Sequence, residues 1–300
     1  MSLVALGTIA LDDIKTPSGI KRDMLGGSAA HFAMAARLFT KVHLVGVVGE
    51  DFPKKHIHFL RKKKIDLTSV CQTCGKTFHW KGEYKKHDLN VALTLATELG
   101  VLANFKPHVS KGQHDIPYIF LANIDPDMQM ELLEKMRKPQ LVGLDSMNLW
   151  IKIKKKSLVK LMKRVDLFVA NDAEARQLTG EHNLIKATKR LRTMGPQWIV
   201  IKKGEHGLLF FCDRFLFSFP AYPLEHVVDP TGAGDTFAGG LMGYLSKIGR
   251  TTPQDLKKAL LYATTMASFN VQGFGLTKTA QLTLPRVNQR MKKLIQFISV

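Results

Sequence analysis

The residues of this chain whose types and spacing carry the most chemistry lie between Val228 and Leu245, VDPTGAGDTFAGGLMGYL. Gly232 and Gly234 accept backbone angles that side chains oppose, and the small Ala233 between them leaves the backbone open to close approach. From Thr236 onward apolar residues recur at near-helical spacing, so the loop runs straight into a helix. A glycine-rich turn at a helix start leaves several N–H groups unpaired. Together with the positive end of the helix dipole they form an anion site. Asp235 stands inside that site, where a carboxylate repels an anion. As a base it has a use there, because it can take the proton from a hydroxyl while that hydroxyl attacks a phosphoryl group. The plainer alternative is a glycine-rich turn in which Asp235 only caps the helix.

Other candidates are spread along the chain. The apolar run Leu3 to Leu6 ends at Gly7 and reads as a buried strand, and Asp12 follows just beyond it. A carboxylate there can accept hydrogen bonds from two adjacent hydroxyls of a sugar, or serve with Asp13 in a turn. Gly26 and Gly27 precede a second, alanine-rich helix within Leu25 to Phe39, with Ser28 and His31 at its head. A histidine there offers one hydrogen bond per ring nitrogen. Asn171 and Glu174, in NDAE, have the spacing of a helix capping box, and the same oxygens suit Mg²⁺ directly or through water. Lys202, Gly204 and Gly207 belong to WIVIKKGEHGLLFF, a strand, a tight turn and a second strand.

One motif is set aside. Cys71, Cys74 and His87 match three positions of a zinc-finger pattern, but Val91, Ala92 and Leu93 stand where a fourth ligand belongs. Around them Thr77, His79 and Lys81 alternate with Phe78, Trp80 and Gly82, which predicts a half-buried hairpin strand instead.

The elements that must position these residues follow an α/β rhythm. Val42 to Val48, Tyr118 to Ile124, Leu141 to Asp145 and Asp166 to Ala170 are apolar strands. Helical stretches at Pro53 to Lys63, Asp127 to Arg137 and Lys155 to Arg164 separate them. Later helices are expected at Leu256 to Asn270 and Arg286 to Ile298, whereas Val91 to Phe105 fits strand and helix equally. The pattern predicts one Rossmann-like domain over 1–300, a parallel sheet in a three-layer sandwich, with no linker or repeat to divide it. Such sheets bind ligands at the C-terminal ends of their strands, which makes Asn123 and Asn148 weak further candidates.

Composition narrows the setting. With 45% hydrophobic and 23% charged residues the chain has an ordinary globular balance, and no apolar run is long enough to span a membrane. The first residues, MSLVALGTIALDDI, lack the basic start of a signal peptide, and three cysteines make no disulfide framework; both point to the cytoplasm. The net charge of +19 comes in short lysine runs that are not interleaved with aromatics, so it is assigned to solvated helix faces and not to a nucleic-acid surface.

DPTGAGD followed by TFAGG resembles the C-terminal signature of the ribokinase-like (PfkB) carbohydrate and nucleoside kinases. The resemblance extends in order from Gly7 to Gly275. It implies Asp235 as catalytic base and Gly232, Ala233 and Gly234 as anion hole. Asp12 and the Gly26–Gly27–Ser28 segment would bind the sugar. His31 stands where the family carries an asparagine, which bears on the substrate more than on the fold. By the same resemblance Asn171 and Glu174 order Mg²⁺, water and phosphate; Lys202, Gly204 and Gly207 lie near the nucleotide, and VQGFG walls the adenine pocket. A small β-sheet lid is expected from about 14–25 and 71–90, with Phe78 or Trp80 covering the substrate. The implied activity is ATP-dependent phosphorylation of a sugar hydroxyl, with a nucleoside such as adenosine as the alternative acceptor and a non-catalytic nucleic-acid binder as a remote third reading. ATP and Mg²⁺ are the implied cofactors. K⁺ is left open at Asp229 and the VQGFG loop, as is the choice between monomer and homodimer.

Overall fold

Runs of β-branched and aliphatic residues form the strands, and the alanine- and lysine-rich stretches between them form helices, in a computed structural model that describes residues 1–299. The strands are Ser2–Leu6 (β1), Ala10–Thr16 (β2), Gly19–Gly26 (β3), Lys41–Gly49 (β4), Asp66–Thr73 (β5), His79–Lys85 (β6), Asp88–Glu98 (β7), Tyr118–Leu121 (β8), Leu141–Asp145 (β9), Leu167–Asn171 (β10), Trp198–Lys202 (β11), Leu208–Cys212 (β12) and Phe215–Phe219 (β13). The helices are Ser28–Ala36 (α1), Lys54–Lys62 (α2), Pro126–Lys135 (α3), Asn148–Ile153 (α4), Lys155–Met162 (α5), Asp172–Thr179 (α6), Leu184–Thr193 (α7), Ala233–Ile248 (α8), Pro253–Asn270 (α9) and Leu284–Ile298 (α10).

Nine strands make one sheet in the order β13–β12–β11–β10–β9–β8–β1–β4–β5. Pairing is parallel from β5 across to β11, and β12 and β13 add an antiparallel edge. Both faces are covered. Leu3 and Ala5 of β1 pack with α1, α8 and α9, while Val4 and Leu6 pack with the cluster of α3, α5 and α6. A strand buried on both sides gains from apolar residues at every position, and hence the central strands read as unbroken hydrophobic runs.

Helix α8 is wedged between α1 and α9 by its glycines. A Cβ on Gly239 would lie 2.3 Å from the Phe32 carbonyl oxygen, and one on Gly240 3.0 Å from Ala263 Cα. Backbone-to-backbone contact of this kind leaves the helix no freedom to slide, so the loop at its N-terminus is held in register with the sheet.

Four strands form a separate smaller sheet, β3–β2–β6–β7. Its limits differ from the expected segments at about 14–25 and 71–90. Cys71 belongs to β5 of the large sheet, His87 lies in the β6–β7 turn of the small one, and the ambiguous stretch from Val91 forms most of β7 and then a 3₁₀ turn at Gly100–Asn104. The two faces of the small sheet differ in chemistry. The outer face carries polar pairs, the His79 imidazole beside the Asp13 carboxylate at 3.1 Å and the Lys81–Glu98 ion pair at 3.1 Å. The inner face carries Asp12, Trp80, Gly82 and Tyr84 toward the large domain. No helix among the described residues is long and apolar enough to cross a membrane.

Candidate active site

The candidates gather where the parallel strands end. Asp12 is buried on β2, and its Oδ2 accepts the Gly27 N–H at 3.3 Å. Gly26 is required beside it: a Cβ there would fall 1.7 Å from the same oxygen. Gly27 turns the chain into α1 at φ 92°, a left-handed angle that favours glycine, with the Thr8 carbonyl 2.4 Å from where a Cβ would be. Burial, followed by the charges of Asp229 and Asp235, pushes the Asp12 carboxyl up to about 7.

Across the cleft, Gly232 caps α8 at φ 70° and Asp235 sits in the first helical turn. Desolvation raises the Asp235 carboxyl to about 7; the neighbouring Asp145 charge adds to this and the Lys202 ammonium opposes it. Lys202 Nζ lies 3.1 Å from Asp145 Oδ2, and a Cβ on Gly234 would be 2.7 Å from that ammonium. A cation therefore stands directly against the glycine loop. Asn171 and Glu174 do form the capping box: Glu174 N–H donates to Asn171 Oδ1 and Asn171 N–H to Glu174 Oε2, each at 2.7 Å. Glu174 is nonetheless raised to about 7, chiefly by burial, with Lys202 lowering it and Asp145 and Asp235 raising it.

Three carboxylates, Asp145, Glu174 and Asp235, thus share one ammonium in a buried setting. These three carboxylates do not converge on one ligand sphere, so their hard oxygens fit a divalent cation of the Mg²⁺ type only through intervening water. Asp229, in contrast, is fully buried and uses both carboxylate oxygens to accept the Thr231 and Gly275 N–H groups, tying the VQGFG loop to the glycine loop.

Several of the expected residues have partners within the protein. Ser28 Oγ accepts the Thr8 N–H and donates to the Asn123 carbonyl, so this hydroxyl serves the scaffold. The His31 ring packs under Gly232, whose Cβ would lie 2.2 Å from it, and Nδ1 meets Asn270 Oδ1 at 3.2 Å while Nε2 is buried without a partner. Burial lowers His31 to about 4, which keeps it neutral. Asn123 accepts the Trp150 indole N–H, and Asn148 opens α4. Phe78 is half-buried and packs against the core of the large sheet.

Four residues were not singled out in the sequence. Asn270 accepts from His31 and Thr236 and donates to the Thr231 carbonyl at 2.7 Å. Tyr84, from the small sheet, reaches the Thr231 hydroxyl at 3.2 Å, and Asn90 lies against Gly204, its Oδ1 2.1 Å from where a Cβ would be. Asp145, the fourth, ends a strand at the ligand-binding edge, which was its one visible signal. Gly204 and Gly207 take positive φ values of 55° and 82° in the turn after β11.

The model of the pfkB family of carbohydrate kinases matches residues 6–282. The chain belongs to that family. It is 32% identical over 253 residues to a cytidine kinase of Thermococcus kodakarensis, covering 81% of this chain and 88% of that protein. Among solved structures, the aminoimidazole riboside kinase of Salmonella enterica, complexed with aminoimidazole riboside and an ATP analogue, superposes with a TM-score of 0.78 at 20% identity, over 97% of this chain and 100% of that one. The nucleoside kinase of Burkholderia thailandensis in complex with inosine gives 0.78 at 19% identity, over 99% of each. The pfkB chain described here is a kinase with the ribokinase fold.

Proposed function

We propose that this kinase transfers the γ-phosphoryl group of ATP to a primary hydroxyl of a pentose-like acceptor, free or carried by a nucleoside. The observation that carries the reading is the placement of Asp235 at the glycine-capped start of α8, with Asp12 close enough across the cleft to feel its charge. Asp12 binds and orients the acceptor through its hydroxyls. Asp235 then takes the proton from the attacking hydroxyl, a task suited to a carboxyl held at about 7. The N–H groups of Gly232 and Gly234 meet the charge that builds on the transferred phosphoryl, the Ala233 N–H being donated to the Pro230 carbonyl at 3.1 Å, and the Lys202 ammonium lies over the same loop. Asn171, Lys202, Gly204 and Gly207 take the nucleotide side. Mg²⁺, bound near Glu174 through water, would neutralise phosphate charge, and kinases of this family use ATP and Mg²⁺. Tyr84 and Asn90 bring the small sheet down on the loops as a lid, which excludes water as a competing acceptor.

The test is ADP release from Mg-ATP with free pentoses and hexoses, sugar phosphates and nucleosides as acceptors. Acceptor-dependent ADP release is expected. No ATP binding together with no release over the panel refutes the proposal.

A further inference from the structure

Outside the active site, one group of three metal-ligating side chains comes together among the described residues. Asp13, Asp23 and His79 have ligand atoms that all lie within 4.8 Å of one another. They come from β2, β3 and β6, three adjacent strands of the small sheet, on the face turned away from the cleft. The local backbone brings them there. The β2–β3 ladder is bulged between Asp12 and Ile14, so Asp13 leaves the pairing with β3. Opposite it Asp23 takes φ 50°, a left-handed angle that aspartate tolerates better than most residues. The Asp23 N–H donates to Asp13 Oδ1 at 2.9 Å, which draws the two carboxylates together. From β6, His79 Nε2 comes to 3.1 Å from the same Oδ1. That approach falls off the direction of the ring N–H, and Nε2 is left buried without a hydrogen-bond partner.

This arrangement asks for a cation. Neither carboxylate has a lysine or arginine partner among the described residues; Lys81, whose charge reaches Asp13, is itself paired with Glu98 at 3.1 Å. A buried nitrogen without a partner costs free energy that a bound ion would recover. An ion with bonds of about 2.0–2.2 Å holds neighbouring ligand atoms roughly 3–3.5 Å apart, so Nε2 and Oδ1 already have the spacing of two corners of one coordination sphere. We propose that Asp13, Asp23 and His79 bind a divalent transition-metal ion of the Zn²⁺ class, with water completing its coordination. The imidazole disfavours Mg²⁺ and Ca²⁺, which take oxygen ligands. The ion staples three strands at the bulge that carries Asp12 to the opposite face. It is distinct from the Mg²⁺ of the nucleotide, and its binding does not depend on the reaction or the acceptor. The zinc-finger-like residues take no part: Cys71 and Cys74 are exposed, and neither they nor His87 join the group.

The experiment titrates EDTA-stripped protein with Zn²⁺ by calorimetry, in a buffer free of phosphate and nucleotide, and follows the melting temperature with and without the ion. The wild type, His79→Ala, Asp23→Asn, the double variant Cys71→Ser with Cys74→Ser, and Glu174→Gln are compared. The wild type is expected to bind Zn²⁺ and to melt higher in its presence, because an ion that binds only the folded state stabilises it. His79→Ala and Asp23→Asn each weaken binding by at least about tenfold, the loss that disturbing even the partners of a metal ligand commonly causes, and shed the Zn²⁺-dependent rise in melting temperature. The double cysteine variant and Glu174→Gln keep both. Asp23 is exposed, so Asp23→Asn carries the test if His79→Ala fails to fold. Absence of Zn²⁺ binding, or binding unmoved by both His79→Ala and Asp23→Asn, overturns the site. Binding lost only in the cysteine variant or only in Glu174→Gln also overturns it, by assigning the ion to the cysteines or to the active site.

Discussion

Replacing Asp235 with asparagine removes the proposed base while keeping its shape. A positioned general base commonly contributes about 10²–10⁴-fold, so kcat should fall by that factor, equivalent to roughly 3–5 kcal/mol of transition-state stabilisation. Stability should move the other way. The Asp235 carboxyl is raised from 3.8 to about 7 in the folded chain, so the folded state disfavours its ionised form. The sign follows from proton linkage: between about pH 4 and 7 the folded state holds a proton that the unfolded state has lost, and stability falls as pH rises through that window. Above pH 7 the whole deficit is present, at most about 4 kcal/mol for a shift of this size. Asparagine carries no charge to desolvate, so at pH 8 the variant should melt at or above the wild-type temperature. ADP release at saturating Mg-ATP and acceptor, beside a thermal melt and an ATP titration at pH 8, separates the two effects. Lost turnover with ATP affinity retained and stability equal or higher is the expected result. Turnover within tenfold of wild type in a folded, ATP-binding variant refutes the assignment.

Three more predictions follow from the same geometry. Because Asp235 acts only when deprotonated, kcat/KM should fall below pH 7 by about tenfold per unit; Asp12 and Glu174, also raised to about 7, titrate in the same range, so the limb belongs to the set, and a profile flat down to pH 5 counts against it. Lys202→Met should cost about 3–5 kcal/mol in urea unfolding, because it leaves the buried Asp145 unpaired, and adding Asp145→Asn should recover part of the loss; an unchanged midpoint would contradict the ion pair. Gly232→Ala should destabilise by at least about 1–2 kcal/mol, since it forces a side chain into φ 70° against the His31 ring, and adding His31→Ala should relieve the contact but not the backbone angle.

Much of this protein was legible along the chain. Apolar runs of strand length, separated by helical periods, specify a parallel sheet covered on both faces, because only that packing buries both sides of each strand. The glycine loop before α8 was equally plain: backbone angles and close approaches are properties of glycine itself, and Asp235 next to it has few structural uses. What the chain could not reveal is pairing across distance. Asp145 and Lys202 are 57 positions apart and become partners because β9 and β11 end at the same sheet edge. Trp80 and Phe78 look interchangeable as lid aromatics, yet Phe78 precedes β6 and packs against the core of the large sheet, whereas Trp80, inside β6, lies over Gly82 beside Asp12. His31 stands by position among the expected substrate contacts, and only the fold shows that its ring fills the space beneath Gly232 and that its Nδ1 donates to Asn270 Oδ1, at the end of a helix 239 residues away. Local propensity and backbone chemistry are carried by neighbouring residues and show in the sequence. Which carboxylate meets which ammonium, and which face of a strand looks into the cleft, are decided only when the layers close on one another.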